Sequence, residues 1–240
     1  MHGIKEPNLP EHQVTVAVSA LPIEGIQCIS PPEVSCLPPA LRQHADLQLC
    51  HLGGRVLLAA PEVFSFYKDA LSTFGFEILC GETNIGSTYP ADAAYNIARV
   101  GNAAFLHPKI ADPVALRFFE MQNIRVIPVR QGYTKCAVVP VDDRSLITAD
   151  AGIARAARCA GFSVLEIQPG GVTLAGFPYG FLGGAAGKTA ADAVYVTGAL
   201  SAHPSKQEIF VFLQKRGIKI RERHIPIPID IGSVLPLMET

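Results

Sequence analysis

Tryptophan is absent from this sequence, charged residues make up only 17% of it, and the formal net charge is −1 over 240 residues. Nucleic-acid-binding domains usually carry a basic face, so this charge balance argues against a nucleic-acid partner. Apolar runs stay shorter than the roughly 18 consecutive residues of a membrane-spanning helix. The polar first residues also lack the apolar core of a signal peptide. We therefore predict a cytoplasmic protein with no membrane partner.

The sequence also lacks the spacings that are typical of metal and dithiol sites. Its six cysteines show no C-x-x-C pair, which argues against a zinc ribbon or a thioredoxin-like dithiol. The histidines form no H-x-x-x-H or H-E-x-x-H pair. We predict mostly buried, reduced thiols, no metal site and no cofactor. Because 49% of the residues are hydrophobic, a sizeable core in a single domain over residues 1–240 is expected.

One unit occurs four times, which is the signature of a repeat architecture. Each copy reads as a strand, a tight turn, a second strand, a helix, a Gly or Asn break and a closing strand. The copies span residues 47–80, 95–129, 136–167 and 193–220. The tight turns are predicted at Gly53-Gly54, Gly101-Asn102, Asp142-Asp143 and Thr197-Gly198. The helices are predicted to begin at Pro61, near Pro108, after an N-cap at Asp150, and at Pro204. They are predicted to end at Gly75, Asn123, Gly161 and Gly217.

The two ends of the chain supply the remaining strands. Residues 14–19 alternate and are rich in β-branched residues, which predicts a strand. The apolar, Pro-punctuated tail cannot form a unit alone, but pairing it with residues 14–19 predicts a fifth unit that removes exposed sheet edges. Between the third and fourth copies, the glycine- and aromatic-rich residues 169–188 are too many for an ordinary connection, which indicates a functional loop, either a lid or a fixed wall.

Ring-closed repeats of this kind resemble the pentein, or guanidine-modifying-enzyme, fold. The runs GYTKCAVVPVDD, GFLGGAAGK, AVYVTGALSAHP and DIGSVLPL are similar to an uncharacterised bacterial family assigned to that fold. The resemblance implies a five-bladed α/β propeller of strand-strand-helix-strand units, closed by the two chain termini. The superfamily includes arginine deiminases, amidinotransferases and dimethylarginine hydrolases, and also a non-catalytic ribosome anti-association factor. The resemblance therefore implies a fold and not a substrate.

The resemblance also implies a type of catalytic site. In catalytic penteins a nucleophilic Cys of the last blade, a His and carboxylates that bind a guanidinium come from different blades. No Cys follows Cys159 here, so Cys136, at the start of the third copy, is the candidate nucleophile. Counted back from the predicted turns, Asp46 and Asp192 occupy the place equivalent to Cys136, and Asn96 lies near that place in its unit; we predict that they surround one cavity with Cys136. An inert buried thiol is the alternative for Cys136.

Two histidines are candidate catalytic bases. His44 shares a face with Asp46 if residues 44–46 are extended, which indicates a base with its carboxylate, or else an exposed strand start. His203 follows the glycine-rich segment. However, His107 also precedes a Pro in the equivalent place of its copy, and this symmetry favours a structural role for both.

The glycine-rich segment indicates a second kind of site. Gly183, Gly184 and Lys188 belong to a run that is one residue short of a phosphate-loop motif, and a strand follows it instead of a helix. We therefore reject a nucleotide triphosphatase. Backbone N–H groups of such a loop, together with Lys188, instead predict an anion-binding site.

These features leave two functions open. The first is a Cys-dependent hydrolase or group transferase acting on a guanidino or amidino compound, with Asp46 and Asp192 holding the cation. The second is a non-catalytic module that binds a small polar ligand or a ribosome-type partner. Tyr133 and Lys135, in the loop before Cys136, are further candidate ligand contacts, and Asp230 is either a ring-facing carboxylate or an ordinary turn residue.

Overall fold

A computed structural model describes residues 1–240 as a mixed α/β structure with five small sheets. The strands are β1 (His2–Gly3), β2 (Val14–Val18), β3 (Gln27–Ile29), β4 (Leu49–Gly53), β5 (Val56–Ala59), β6 (Glu77–Cys80), β7 (Ala98–Val100), β8 (Ala103–Leu106), β9 (Arg125–Pro128), β10 (Val138–Asp142), β11 (Ser145–Thr148), β12 (Ser163–Glu166), β13 (Ala186–Ala190), β14 (Ala193–Val196), β15 (Lys219–Glu222) and β16 (Leu235–Glu239). The helices are α1 (Ala45–Gln48), α2 (Phe64–Ser72), α3 (Pro113–Met121), α4 (Thr134–Ala137), α5 (Ala151–Cys159) and α6 (Lys206–Gln214).

Four of the sheets have the same topology. In each, the first two strands form an antiparallel hairpin and the second strand pairs in parallel with a third, which follows a helix. The strand orders are β4-β5-β6, β7-β8-β9, β10-β11-β12 and β13-β14-β15. A parallel neighbour requires a crossover connection, and α2, α3, α5 and α6 provide it. The predicted unit of strand, turn, strand, helix and strand is therefore confirmed.

The predicted helix boundaries depend on residues that accept a left-handed backbone. Gly75 (φ +72°) follows α2 and Asn123 (φ +52°) follows α3, a conformation that few residues other than Gly and Asn adopt. The predicted N-cap is also confirmed, because the Asp150 side chain accepts a hydrogen bond from Ile153 N (2.8 Å) at the start of α5.

Two predicted boundaries are wrong. The second helix begins at Pro113 and not near Pro108, because Asp112 is the side chain that caps it, accepting from Val114 N (2.8 Å). In the fourth unit the hairpin turn lies at Ala191-Asp192 and not at Thr197-Gly198, since Ala190 pairs with Ala193. The residues predicted to be the first strand are therefore the second, and β13 occupies the end of the segment that was predicted to be an insert.

The chain ends pair as predicted. β16 is antiparallel to β2, with Leu235 opposite Val18, and β2 is parallel to β3. Within this fifth sheet, β16, β2 and β3 repeat the strand pattern of the other four, with a short loop over residues 19–26 where they have a helix. The sheet has a fourth strand, because β1 pairs antiparallel with β16. Closure of all five sheets into one propeller stays a prediction.

Buried apolar side chains form four clusters, the largest with 30 residues centred on β4, β5, α2 and α3. All six cysteines are free. The prediction that most thiols are buried is wrong, because Cys36, Cys80 and Cys159 are exposed. These three residues lie in a loop, at a strand end and at the last position of α5, where the clusters do not reach.

Candidate functional site

The residues that precede the first strand of each sheet meet in one place. Two residues before a strand that begins a hairpin or its equivalent lie Asn96 (before β7), Cys136 (before β10), Gly184 (before β13) and Ser233 (before β16), and Asp46 lies three residues before β4. Hydrogen bonds join these positions across sheets, since Cys136 contacts both Asp46 and Asn96. The topology therefore brings together side chains that are up to 187 residues apart in sequence.

Cys136 lies at the centre of this cluster. Its thiol donates to Asp46 Oδ2 over 3.0 Å, and Asn96 Nδ2 donates to Cys136 Sγ over 3.0 Å. The other end of the Asn96 amide accepts the backbone N–H groups of Lys135 (2.7 Å) and Cys136 (3.1 Å). Asn96 therefore fixes both the backbone and the sulfur of Cys136.

Asp46 is completely buried behind the cysteine. Its Oδ2 also accepts a hydrogen bond of 2.5 Å from the Ser233 hydroxyl, while its Oδ1 has no hydrogen-bond partner. A buried carboxylate oxygen without a partner is costly, and Asp46 itself does not line the cavity described below, so Cys136 lies between this carboxylate and that space.

The electrostatic environment keeps the Cys136 thiol protonated. Burial raises the pKa of Cys136 well above its ordinary value, and the nearby carboxylates of Asp46 and Asp230 raise it further. Burial likewise lowers the pKa of the adjacent Lys135 ammonium, an effect that Asp46 and Cys136 oppose. In the unliganded protein at neutral pH, Cys136 is thus a thiol and not a thiolate.

Asp230 forms a second buried acidic position. Its Oδ2 accepts from Phe181 N (2.8 Å) and its Oδ1 from Gly232 N (3.1 Å). His44 Nδ1 lies 3.9 Å from Asp230 Oδ1, and His44 Nε2 has no hydrogen-bond partner. Burial raises the pKa of Asp230, which His44 opposes and Asp46 reinforces.

A cavity of 610 Å³ opens onto these groups. Its polar lining includes Cys136, His44 and Asp230, and Tyr133 lies on its wall with its hydroxyl donating to Asp92 (2.7 Å). The remaining lining is largely apolar and aromatic: Leu41, Leu47, Tyr89, Leu174, Phe177, Pro178, Tyr179 and Phe181, together with Arg130, Gln131 and Asp150. A thiol, an imidazole and a carboxylate therefore share one pocket that a small organic molecule can enter.

Gly183 and Gly184 support this site through close packing and do not form an open loop. A Cβ on Gly183 would lie 2.8 Å from the Lys135 carbonyl oxygen, and one on Gly184 would overlap the Asp230 carboxyl group. Gly184 N also donates to Cys136 O (3.0 Å). Glycine is required here because the backbone passes directly against the floor of the cavity.

The predicted anion site at Lys188 is wrong. Lys188 lies in the middle of β13, where its ammonium donates to the carbonyl groups of Val141 (2.9 Å) and Ala191 (2.7 Å). Burial lowers its pKa to about 8. The side chain is thus held between backbone carbonyls and does not reach the glycines.

Asp192 does not join the cluster either. It lies in the hairpin turn between β13 and β14, more than half exposed, with its carboxylate 2.9 Å from Lys219 Nζ. The misplacement follows from the wrong turn in the fourth unit, because counting back from Ala191-Asp192 leads to Gly184 and not to Asp192.

The two candidate histidines have different surroundings. His44 lines the cavity, but residues 44–46 are not extended, since α1 begins at Ala45 and turns Asp46 behind Cys136. His203 lies outside that cavity, and its Nδ1 accepts from Ser205 N (3.0 Å). His107 accepts from Lys109 N in the same way (3.2 Å), so both imidazoles hold equivalent turns.

The sequence interpretation missed Ser233 and most of the aromatic wall. A signal for Ser233 existed, because it lies two residues before β16, as Cys136 lies before β10 and Asn96 before β7. No comparable signal marks Tyr89 or Tyr179, which lie in irregular loops without periodicity.

No group of three or more His, Cys, Asp and Glu side chains is arranged to hold a metal ion. The helices are all too short or too polar to cross a bilayer.

Comparison with solved structures shows the pentein fold. Dimethylarginine dimethylaminohydrolase (DDAH) from Pseudomonas aeruginosa, a cysteine-to-serine mutant complexed with citrulline, has a TM-score of 0.54 at 10% identity, covering 83% of this chain and 75% of that one. Inosamine-phosphate amidinotransferase StrB1 from Streptomyces griseus has a TM-score of 0.51 at 13% identity, covering 90% and 76%. The amidinotransferase SxtG of the saxitoxin biosynthetic pathway, from Microseira wollei, has a TM-score of 0.54 at 10% identity, covering 98% and 97%. All three are pentein proteins, and at these identities the similarity concerns the fold.

The sequence itself matches no curated protein. A family model, described as a family of unknown function (DUF6873), matches residues 12–235. This match spans nearly the whole chain, and the protein therefore belongs to the DUF6873 family.

Proposed function

We propose that the five sheets are the blades of a closed pentein propeller and that its central cavity binds a small guanidino or amidino compound on which Cys136 acts as the nucleophile. The observation that carries this proposal is the shared cavity: the Cys136 thiol and the Asp230 carboxylate line the same 610 Å³ space. The structural neighbours include a hydrolase and amidinotransferases that act on compounds of this class, which supports the same chemistry here.

The lining of the cavity favours a cationic ligand. Asp230 supplies a buried carboxylate, and carboxylates bind planar guanidinium groups through paired hydrogen bonds. Tyr133 and Phe181 add aromatic rings, which attract cations through their electron-rich faces. A guanidinium or amidinium ion matches both features. The lining also holds one cationic side chain, Arg130, but two carboxylates, Asp150 and Asp230, so an anion would be less favourable there.

Binding of such a cation would also activate the thiol. The carboxylates of Asp46 and Asp230 raise the pKa of Cys136. A positive charge beside the sulfur has the opposite effect on this pKa, so the bound cation stabilises the thiolate. The proton has an acceptor in place, because the thiol already donates to Asp46 Oδ2. In this proposal Asp46 accepts the proton of the thiol, and Asp230 binds the cation.

The Cys136 thiolate forms a C–S bond to the central carbon, and the electron pair of the C=N bond moves to nitrogen. One C–N bond then breaks, and the amine leaves with a proton from Asp46. In a hydrolase, water forms a C–O bond to the carbon of the resulting thiouronium and gives a proton to Asp46; the C–S bond then breaks, which restores the Cys136 sulfur and releases a urea. In a transferase, an acceptor amine forms a C–N bond in the same way, and the product is a new guanidine.

A second candidate function is ligand binding without chemistry. The Cys136 thiol has no hydrogen bond to a histidine, and both of its partners are groups that also organise the protein interior. Such a thiol is equally suited to a structural contact at the floor of a binding pocket.

Calorimetric titration with agmatine, arginine and guanidinoacetate, combined with assays for released amine or urea, tests the proposal. Wild type, Cys136→Ser and Asp230→Asn are compared, with Asp192→Asn as the matched variant of a carboxylate outside the cavity. We expect turnover in wild type, binding without turnover in Cys136→Ser, and weakened binding in Asp230→Asn. Intact-mass spectrometry should detect an adduct on Cys136.

The outcomes separate the two candidates. Binding with no turnover and no adduct in any sample would contradict catalysis and favour the binding module. Absence of binding by every cationic compound would contradict a guanidino or amidino ligand, whether it is turned over or only bound. Equal effects of Asp230→Asn and Asp192→Asn would remove Asp230 from the site.

A further inference from the structure

We propose that the substrate carries an apolar group, aromatic or branched aliphatic, which contacts Tyr89, Phe177 and Tyr179 at the mouth of the cavity while its cationic head reaches Asp230. This inference rests on the proposed function and specifies the substrate class. We define the mouth by these three side chains.

The mouth is unusually apolar for a surface. Tyr89, Phe177 and Tyr179 are 47%, 41% and 46% exposed, respectively, and all three line the same cavity. They come from two separate loops, one before β7 and one between β12 and β13. Apolar surface that is exposed in a group beside a pocket marks a place where a ligand is covered.

The aromatic surface continues from the mouth to the acidic floor. The Tyr89 and Tyr133 rings have centroids 5.2 Å apart, and those of Tyr133 and Phe181 are 6.4 Å apart. The backbone N–H of Phe181 in turn donates to Asp230 Oδ2. One continuous wall therefore joins the exposed rings to the carboxylate, so a ligand held by Asp230 extends along these rings toward the mouth.

The wall is held in place by specific contacts. The Tyr133 hydroxyl donates to Asp92, and the Tyr89 ring lies against Gly132, where a Cβ would be 2.6 Å from Tyr89 Cε2. Phe177 N donates to Leu174 O (3.1 Å), which closes a turn that presents the ring. Rings that are already positioned lose little conformational entropy when a ligand packs against them.

The size of the cavity also requires more than a cationic head. Pockets of roughly 300–1,000 Å³ enclose drug-sized molecules. The 610 Å³ cavity lies within that range, and its charged and thiol groups are only part of a mostly apolar lining. A short guanidine would leave the aromatic part of the lining in contact with water.

Titration with two matched compounds tests the inference: methylguanidine, which has only the head, and 4-phenylbutylguanidine, which adds an apolar tail. Since about 60 Å² of buried apolar surface corresponds to roughly a tenfold change in Kd, we expect the phenyl compound to bind at least about tenfold more tightly. Phe177→Ala and Tyr179→Ala should weaken its binding by about fivefold or more and leave methylguanidine binding within about twofold. Phe210→Ala, which removes a similarly exposed ring (37%) on α6, is the control and should change neither.

Each of the other possible results contradicts the inference about the apolar group, the proposed guanidino function, or both. Equal affinity for the two guanidines, or equal losses for both in the mouth variants, overturns the apolar-group inference and leaves the guanidino function standing. If the uncharged 4-phenylbutylurea binds as tightly as 4-phenylbutylguanidine and depends on Phe177 and Tyr179, the mouth binds an apolar group but the proposed cation function is wrong. If none of the three compounds binds, both are wrong.

Discussion

Replacing Gly184 by alanine tests whether close backbone packing positions the acidic floor of the site. An alanine Cβ would overlap the Asp230 carboxyl group, with even its farther oxygen, Oδ2, only 2.6 Å away. Gly184 does not have a positive φ, so the added methyl group introduces a clash without backbone strain. Asp230 must then leave its position, because the backbone on the other side is fixed by the Gly184–Cys136 hydrogen bond.

The magnitude follows from the hydrogen bonds that Asp230 would lose. It accepts from Phe181 N at 2.8 Å and from Gly232 N at 3.1 Å, and hydrogen bonds to a charged group contribute about 1.5–3 kcal/mol each. Because Asp230 lines the cavity, the displaced carboxylate can be hydrated there, which recovers part of this energy. We therefore expect the free energy of unfolding to fall by about 3 kcal/mol.

Urea unfolding measures this change as a shift of the midpoint at constant m-value. Gly25→Ala is the matched control, because Gly25 has φ +76° with no atom within 4 Å of the added Cβ and should lose only about 1 kcal/mol from backbone strain. If Gly184→Ala costs no more than Gly25→Ala, the close packing of Gly184 against Asp230 does not position the carboxylate, and the reasoning is refuted.

Three further predictions concern neighbouring groups. Iodoacetamide should label Cys136 slowly at pH 8 and faster in Asp46→Asn, because the Asp46 carboxylate raises the pKa of the thiol. Peptide mass spectrometry measures both labelling rates, with exposed Cys159 as the reference. Equal labelling of Cys136 in the two proteins would contradict the electrostatic role of Asp46. Burial lowers the pKa of His51 from 6.5 to about 4, so the unfolded chain binds the proton first as the pH drops. The free energy of unfolding should therefore fall by about 3 kcal/mol between pH 6.5 and pH 4. Urea titrations of His51→Gln should lack this part of the pH dependence, and an unchanged profile in the variant would contradict the role of His51. Ser233→Ala should lower the free energy of unfolding by about 1–3 kcal/mol, because it removes the hydroxyl that donates to buried Asp46. Asp192→Ala should leave the free energy of unfolding unchanged within error, because it removes only an exposed ion pair. Similar losses in the two variants would contradict the difference between a buried hydrogen bond and an exposed ion pair.

The repeat unit was predictable because its boundaries are set by local backbone chemistry. Gly53-Gly54 and Gly75 take the positive φ values that a hairpin turn and a helix end require, and few other residues do. The position of the fourth hairpin was predicted wrongly because the prediction relied on glycine to mark a turn. Its turn at Ala191-Asp192 contains no glycine. Gly198 lies nearby in the sequence, but glycine is needed there because a Cβ would clash with the Ile227 backbone. A local rule therefore assigned a turn to a glycine that serves long-range packing.

The site was predictable only where the turns were placed correctly. Asp46, Asn96 and Cys136 were located by counting back from correct hairpin turns, and hydrogen bonds of 3.0 Å join the last residue to the first two. Asp192 and Lys188 belong to the misplaced unit and lie elsewhere. The aromatic wall could not be derived in this way, because the loops that carry it have no repeating pattern and acquire their positions from tertiary contacts such as that between Tyr89 and Gly132.

The repeat also explains why the proposed nucleophile belongs to the third unit instead of the last. Ser233 occupies the position two residues before β16 in the last unit, as Cys136 does before β10, and both donate to the same oxygen of Asp46. Equivalent positions of different units thus reach one carboxylate. Ser233 is fully buried and its hydroxyl lies 2.5 Å from Asp46, whereas Cys136 borders the cavity. Of the two, only Cys136 combines a polarisable sulfur with access to a ligand, and this difference is why the catalytic proposal places the C–S bond on the third unit.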